Sequence, residues 1–511
     1  MMKKLLPCVW PGPALFVLFW GTLLVGGSRF LRDPGQFWHT RVGEDTLDSG
    51  FVRTDPYTFT HAGDPWVPYQ WLGEVAMALG YRAGGFDLLL VAAVALVAGL
   101  YAVLGSRFIA TGLHPIFAVG VTALSLAAGS THFHVRPHLM TMIGMAITLF
   151  ALMKFERGDW SLRRVAWLIP LFWIWCNIHG GALGGLATLA LAGVGFGIWK
   201  LLGWNELSWR DLFGYGLIAA CCGITAFLSP YGIELVKTWL YINNGMAKLP
   251  QLIEEHAPLR FDDRKMWGFL ALGAIYIGLL ASTLPKRPKI AWLLPLFWFV
   301  QGFFRVRHGA LFAPLAVLAM ADFWPHTWLA RGLAIKRPDV YSPPPVTLGR
   351  HWPRILLAGL VCVSLAFAIQ QAGLTVPFLG KNCAALDSTL WPIEHDAVLA
   401  ANEPKSPGQS GRVFCEYIYG AYFIHRFPGY RVFVDDRCEV FGDDFLEAYV
   451  KADEAGTAEA MAIWEDRFGR FEFALTASTD RDDGFDAYFR TRPELWDCLQ
   501  RTATASFYKR R

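Results

Sequence analysis

Long apolar runs alternate with short polar intervals along most of the chain. The runs occupy residues 12–31, 86–105, 115–131, 139–154, 165–178, 181–201, 213–229, 266–284, 290–304, 309–324 and 354–372. Most approach the roughly 20 residues a helix needs to cross a hydrocarbon core. The pattern predicts an α-helical polytopic membrane protein of about 11 transmembrane helices over residues 1–372. Lys3 and Lys4 precede the first run as they would in a signal peptide. Ten further runs follow, and Gly26-Gly27-Ser28 is a weak cleavage match, so the first run is read as a span.

After residue 372 the pattern changes. Strand-like runs at "RVFCEYI", "RVFVDD", "FEFALTAS" and "ATASFYKR" alternate with helical stretches near 444–451 and 457–468, which predicts a small α/β domain over 373–511. The first polar interval, 32–85, is too long for a simple connector. Within it Trp71, Leu72, Val75 and Leu79 recur at helical spacing and predict a helix lying in the membrane interface before the second span. The stretch 325–354, with "SPPP" inside it, reads as a linker.

Charge orients this pattern. With the N-terminus in the cytoplasm, Arg107, the Lys154/Arg157/Arg163/Arg164 group, Lys200, Arg210 and the Lys286/Arg287/Lys289 group all lie inside, as the positive-inside rule asks. An odd number of spans then places 373–511 on the extracytoplasmic side of the inner (plasma) membrane. Of the 13 histidines, all but His114, His326 and His351 fall on that side, so any chemistry is expected there. Composition agrees: 54% hydrophobic and 17% charged residues, with a mean hydropathy of +0.33, exclude an average soluble protein. The net charge of +4 is dispersed among loops, which gives no nucleic-acid-binding stripe.

The candidate chemistry sits in the extracytoplasmic intervals. Asp33 lies at the end of the first run, where a carboxylate can meet a substrate whose tail stays in lipid. Asp55-Pro56 and Asp64-Pro65 read as turn initiators. "THFHVRPHLM" brings His132, His134 and His138 around Arg136, whose donor fork suits a phosphate; no metal-ligand spacing such as H-E-x-x-H is present. Asn177 and His179 end the fifth run, as a helix cap or as the lining of a wet cavity. Glu254, Glu255 and His256 form another cluster, and Arg305, Arg307 and His308 follow the ninth run. Asp435, Asp436 and Arg437 close the "RVFV" strand, where a solvated strand end is expected. Cys383, Cys415, Cys438 and Cys498 lie in the exported domain and allow three disulfide pairings.

A carboxylate after the first span, a long first extracytoplasmic loop with an interfacial helix and a soluble tail together resemble the GT-C fold of integral-membrane glycosyltransferases. More narrowly, "DPGQFWHTRVGE", "TDPYTFTHAGDPW", "HVRPH", "NIHGG", "SPYG" and "VFVDDR" resemble a largely uncharacterised bacterial membrane-protein group near that fold. The resemblance covers most of the chain. It implies a polyprenyl-phosphate-linked sugar donor in the lipid bilayer, transfer on the extracytoplasmic face, and Asp33 as general base. The substrate-binding set becomes His39, Arg136, His138, Asn177, His179, Glu254, Glu255, Arg305 and His308. Neither sugar nor acceptor follows from it, no cofactor is assigned, and a divalent metal is left open. One departure stands out: many GT-C enzymes carry paired acids in the first loop, whereas Pro34-Gly35 follow Asp33 and the next acids are Glu44 and Asp45. Two other readings compete. A transporter or flippase for a lipid-linked or anionic solute predicts charged or broken helices at the bilayer midplane, where these runs are mostly clean. A non-catalytic envelope assembly protein predicts that Asp33, Arg136 and His179 share no cavity.

Overall fold

The structure is a computed structural model that describes residues 11–253, 256–263, 266–343, 352–373, 386–405, 411–454 and 456–511. Every apolar run contains a helix. Six helical segments, at 71–110, 115–132, 139–156, 182–201, 306–326 and 352–371, are long and apolar enough to cross a membrane. Pro11–Val25, Trp267–Ala281 and Ile290–Phe304 are apolar but shorter, at 15 residues each. The chain is therefore a multi-pass membrane protein.

Burial follows sequence character. Gly309–Phe323 is apolar around its whole circumference and forms the hub, with every residue except Asp322 buried. Trp352–Gln371 is the opposite case: only Ile355 and Ala366 are buried, and Leu356, Leu357, Leu360, Val361 and Leu365 face outward, as a lipid-facing helix requires. A helix does precede the second span, as the first part of Trp71–Ala110. It breaks from the span at Gly84 and Gly85, and Gly85 takes a φ of 65°, which the absence of a Cβ permits.

The small domain carries a five-stranded mixed sheet of order β2-β1-β3-β5-β4. Its strands are β1 (Gly411–Cys415), β2 (Tyr430–Val432), β3 (Phe473–Ala477), β4 (Trp496–Arg501) and β5 (Ala505–Arg510). β1 runs parallel to β2 and β3, and β5 runs antiparallel to β3 and β4. Four strands fall in the expected runs. β4 does not, because it is an edge strand exposed along most of its length and carries no apolar alternation. Cys415, Cys438 and Cys498 form no disulfide with one another; Cys383 lies outside the described residues.

The first polar interval does not hang free. It contains a helix, Gly35–Ser49, whose Gly43 lets it approach the helix before the second span so closely that a Cβ there would sit 2.0 Å from the Glu74 carbonyl oxygen. Further along, the Val432 N–H donates to the Tyr57 carbonyl and the Phe59 N–H to the Val432 carbonyl, both at 3.1 Å, extending the sheet at β2. Phe37, Trp38, Tyr57 and Trp66 share one apolar core with Trp391, Tyr422 and Phe423 of the small domain. The first interval thus holds the small domain onto one end of the bundle.

Candidate functional site

A cavity of about 200 Å³ lies between that end of the bundle and the small domain. Asp33 and Arg136 anchor its edge. Asp33 Oδ1 accepts the Gly35 N–H at 2.8 Å, and Arg136 Nη1 donates to Oδ2 at 3.0 Å. The pair demands a glycine at 35: a Cβ there would lie 2.8 Å from Asp33 Oδ1 and 2.9 Å from Arg136 Nε. Burial works to raise the Asp33 pKa, but Arg136, His134 and the Gly35 N–H outweigh it, so the pKa is lowered and the carboxylate is ionised.

His138 and His179 stand near this arginine as neutral rings. His132 and His138 are 4.3 Å apart between ring centroids, and His138 Nε2 donates to the His132 carbonyl at 2.7 Å. Burial, reinforced by Arg136, brings the His138 pKa down to about 3. His179 is held differently. Its Nδ1 accepts the Gly181 N–H at 2.9 Å and the Thr141 hydroxyl at 2.8 Å, while that hydroxyl accepts the Trp175 indole N–H at 3.0 Å. Nδ1 therefore carries no proton, and the neutral ring keeps Nε2–H as its donor. Arg307 Nη1 donates to His256 Nε2 at 2.9 Å. Trp239 and Trp298 supply apolar wall.

The small domain closes the cavity with Asp436, Cys438 and Glu439. The strand end expected to be solvated is buried, because the first interval covers it. Asp435 and Arg437 are fully buried. Arg437 donates to Asp435 Oδ1 from Nε at 2.8 Å, to Oδ2 from Nη2 at 2.6 Å, and to Asp55 Oδ1 from Nη1 at 2.8 Å. Its guanidinium lies 4.5 Å from the Trp66 ring centroid and 5.0 Å from that of Tyr57. Asp55 does cap a turn, accepting the N–H groups of Tyr57 and Thr58, but it also carries this ion pair. Asp436 belongs to the cavity instead. Its Oδ1 is buried with no hydrogen-bond partner among the described residues. Burial, then the nearby Asp33 charge, raise its pKa well above the usual carboxylate range. The chain thus does bring two acids close together, one from each of its ends.

Of the residues proposed from sequence, Arg136, His138, His179 and His308 line the cavity. Asp33 stands beside it as the partner of Arg136, and Arg305 donates to Asn243, which lines it. His39 and Asn177 are placed elsewhere. His39 Nδ1 is 3.0 Å from Glu74 Oε1 in a fully buried pair, where burial lowers the histidine pKa and raises the glutamate pKa. A proton on Glu74 donated to Nδ1 pairs the two groups without charge, while His39 Nε2 and Glu74 Oε2 have no hydrogen-bond partner among the described residues. Asn177 Oδ1 accepts the Trp71 indole N–H at 2.7 Å, and its amide donates to the Trp173 carbonyl at 2.8 Å, tying the helix before the second span to Leu168–Ile178. Glu254 and Glu255 lie outside the described residues. Tyr69, Gln70, Asp436 and Glu439 line the cavity without having been singled out as binding residues. Among the described residues, no three His, Cys, Asp or Glu side chains are grouped to hold a metal ion.

A helical membrane bundle capped by a small α/β domain, with a polar cavity between them, is the GT-C architecture. Solved structures share it. Archaeal oligosaccharyltransferase AglB from Archaeoglobus fulgidus, in complex with an inhibitory peptide and a dolichol-phosphate, matches with a TM-score of 0.55 at 12% identity, over 91% of this chain and 69% of its own. The Archaeoglobus fulgidus oligosaccharyltransferase tethered by a disulfide to an acceptor peptide containing the NVT sequon matches with a TM-score of 0.51 at 11% identity, over 92% and 69%. The chain has the GT-C fold. No family model matches it, and no curated protein matches it in sequence.

Proposed function

We propose that this protein is a membrane glycosyltransferase that moves a sugar from a polyprenyl-phosphate-linked donor to an acceptor on the extracytoplasmic face of the inner membrane. The observation that carries this reading is the placement of an ionised, largely buried Asp33 beside Arg136 at the edge of a cavity roofed by the small domain. In the topology that goes with it, about 11 spans leave the N-terminus in the cytoplasm and the small domain outside. The dolichol-phosphate and the acceptor peptide of the AglB structures support a lipid phosphate and an aqueous acceptor as the two ligands of this cavity.

The chemistry follows from the charges. The donor phosphate, anchored by its lipid tail, settles against Arg136 and Arg307, with His179 Nε2–H as a neutral donor. The acceptor hydroxyl approaches from beneath the small domain. As the bond from the sugar C1 to the phosphate oxygen breaks, the phosphate leaves with the electron pair. The acceptor oxygen bonds to C1 from the opposite face, and its proton passes to Asp33. Lowered basicity suits a carboxylate that takes the proton late, once the hydroxyl has become acidic by bonding to C1. Deleting the gene and profiling the lipids of the strain tests this reading: accumulation of a polyprenyl-phosphate sugar is expected, and an unchanged lipid profile would contradict it.

A further inference from the structure

Asp436 is a carboxyl that the small domain delivers to the cavity without giving it a partner. It follows directly on Asp435, whose two oxygens are consumed by Arg437. Asp436 itself lines the cavity, and its buried Oδ1 accepts no hydrogen bond from the described residues. We propose that Asp436 is the second carboxyl of the site and acts as a protonated hydrogen-bond donor to the phosphate of the bound lipid. This rests on the reading of the cavity as a lipid-phosphate site.

The assignment of proton and charge follows from the neighbours. Two carboxyls close together in a buried site do not both ionise cheaply. Asp33 has the Arg136 guanidinium and the Gly35 N–H, so the negative charge resides there. Asp436 has neither, and the single proton of the pair belongs on it, as its raised pKa agrees. A protonated carboxyl donates to phosphate, whereas an ionised one repels it. Among the described residues, the other charged groups around Asp436 are Arg136, Arg307 and Glu439 at the cavity wall and the Asp435–Arg437 pair behind it. His138 and His179 titrate below neutrality and stay uncharged above it. Glu439 also has a raised pKa, through burial first, and its Oε1 accepts the Trp66 indole N–H at 3.2 Å. The sign is fixed: phosphate binding is strongest while Asp436 is protonated and weakens as pH rises through its pKa.

The test measures binding of a polyprenyl phosphate to the full chain in lipid nanodiscs by calorimetry, from about pH 6 to about pH 9. Relative to Asp436→Asn, wild type should lose affinity as pH rises, by about tenfold for each pH unit past the Asp436 pKa. The second ionisation of the phosphate itself, near pH 6, is common to every variant. Asp436→Asn, whose amide donates at all pH values, should keep only the slope that the ionisation of the phosphate imposes. Asp436→Ala should bind about tenfold more weakly at the acid end and show that same residual slope. Glu439→Gln should keep the slope. An Asp436→Asn protein with the wild-type slope, or a slope lost in Glu439→Gln, overturns the assignment alone. Wild-type protein that binds no polyprenyl phosphate at any pH overturns the assignment and the lipid-phosphate reading together.

Discussion

Two Asp–Arg–Asp clusters stand side by side at the junction of bundle and small domain, and they behave in opposite ways. In the first, Asp55, Arg437 and Asp435 are all buried and spend their charged atoms on one another. In the second, Asp33 holds Arg136, while Asp436 stands near both with a buried oxygen that has no hydrogen-bond partner among the described residues. Both clusters join the first interval to the small domain, and Asp435 and Asp436 are consecutive. Residue type therefore does not separate scaffold from site. What separates them is whether the hydrogen-bonding capacity is exhausted inside the protein or converges on a cavity.

The largest effect is expected in the closed cluster. Asp55→Ala leaves Arg437 with one carboxylate fewer in a fully buried position, and breaking such a pair costs about 3–5 kcal/mol. Thermal melting of the purified protein should show a large loss, accompanied by poor yield. A small shift would mean that water enters and solvates Arg437.

In the open cluster, Arg136→Gln should fold but bind polyprenyl phosphate at least about tenfold more weakly, since it removes a charge-assisted contact. Because Arg136 is the largest of the groups that together outweigh burial at Asp33, its removal raises the Asp33 pKa. The acid limb of the transfer rate should move to higher pH, which a pH–rate profile reads directly.

A third effect is smaller and opposite in sign. The folded-state pKa of Asp436 is raised, so the folded chain holds a proton that the unfolded chain releases above its ordinary pKa. That group costs stability progressively as pH rises toward its folded pKa. Asp436→Asn should therefore melt higher than wild type at alkaline pH and nearly equally at acid pH. The smallest effect belongs to Asp64, whose carboxylate is exposed and whose backbone carbonyl accepts the Asp55 N–H. Asp64→Ala should stay within about 0.5 kcal/mol of wild type.

The helices were legible because each apolar run is long, and the break before the second span was legible because helical spacing begins at Trp71, ahead of the run. The helix Gly35–Ser49 was not. Its buried face holds Gln36, His39, Thr40 and Gly43 beside Phe37, Trp38 and Val42, so no clean apolar stripe marks it. Arg136, His138, His179 and His308 could be proposed because polar residues at the ends of apolar runs are few. Asp436 and Arg437 were visible as residues, but their burial depends on the first interval folding over β2, a contact between opposite ends of the chain. His39 and Asn177 share the density of polar residues that marks the site, and only the contacts show them joining Glu74 and Trp71.

The most direct test of glycosyl transfer at this site uses purified wild type and Asp33→Asn in nanodiscs. They are given a polyprenyl-phosphate-linked sugar and an envelope extract as the source of acceptor, and released polyprenyl phosphate is measured. Asn keeps the shape of the side chain and removes its ability to take a proton. The account predicts release by wild type and a rate lower by about 10²-fold or more in Asp33→Asn at normal expression and melting. Equal rates in the two proteins would contradict the role of Asp33, and no release by wild type would contradict the transferase itself.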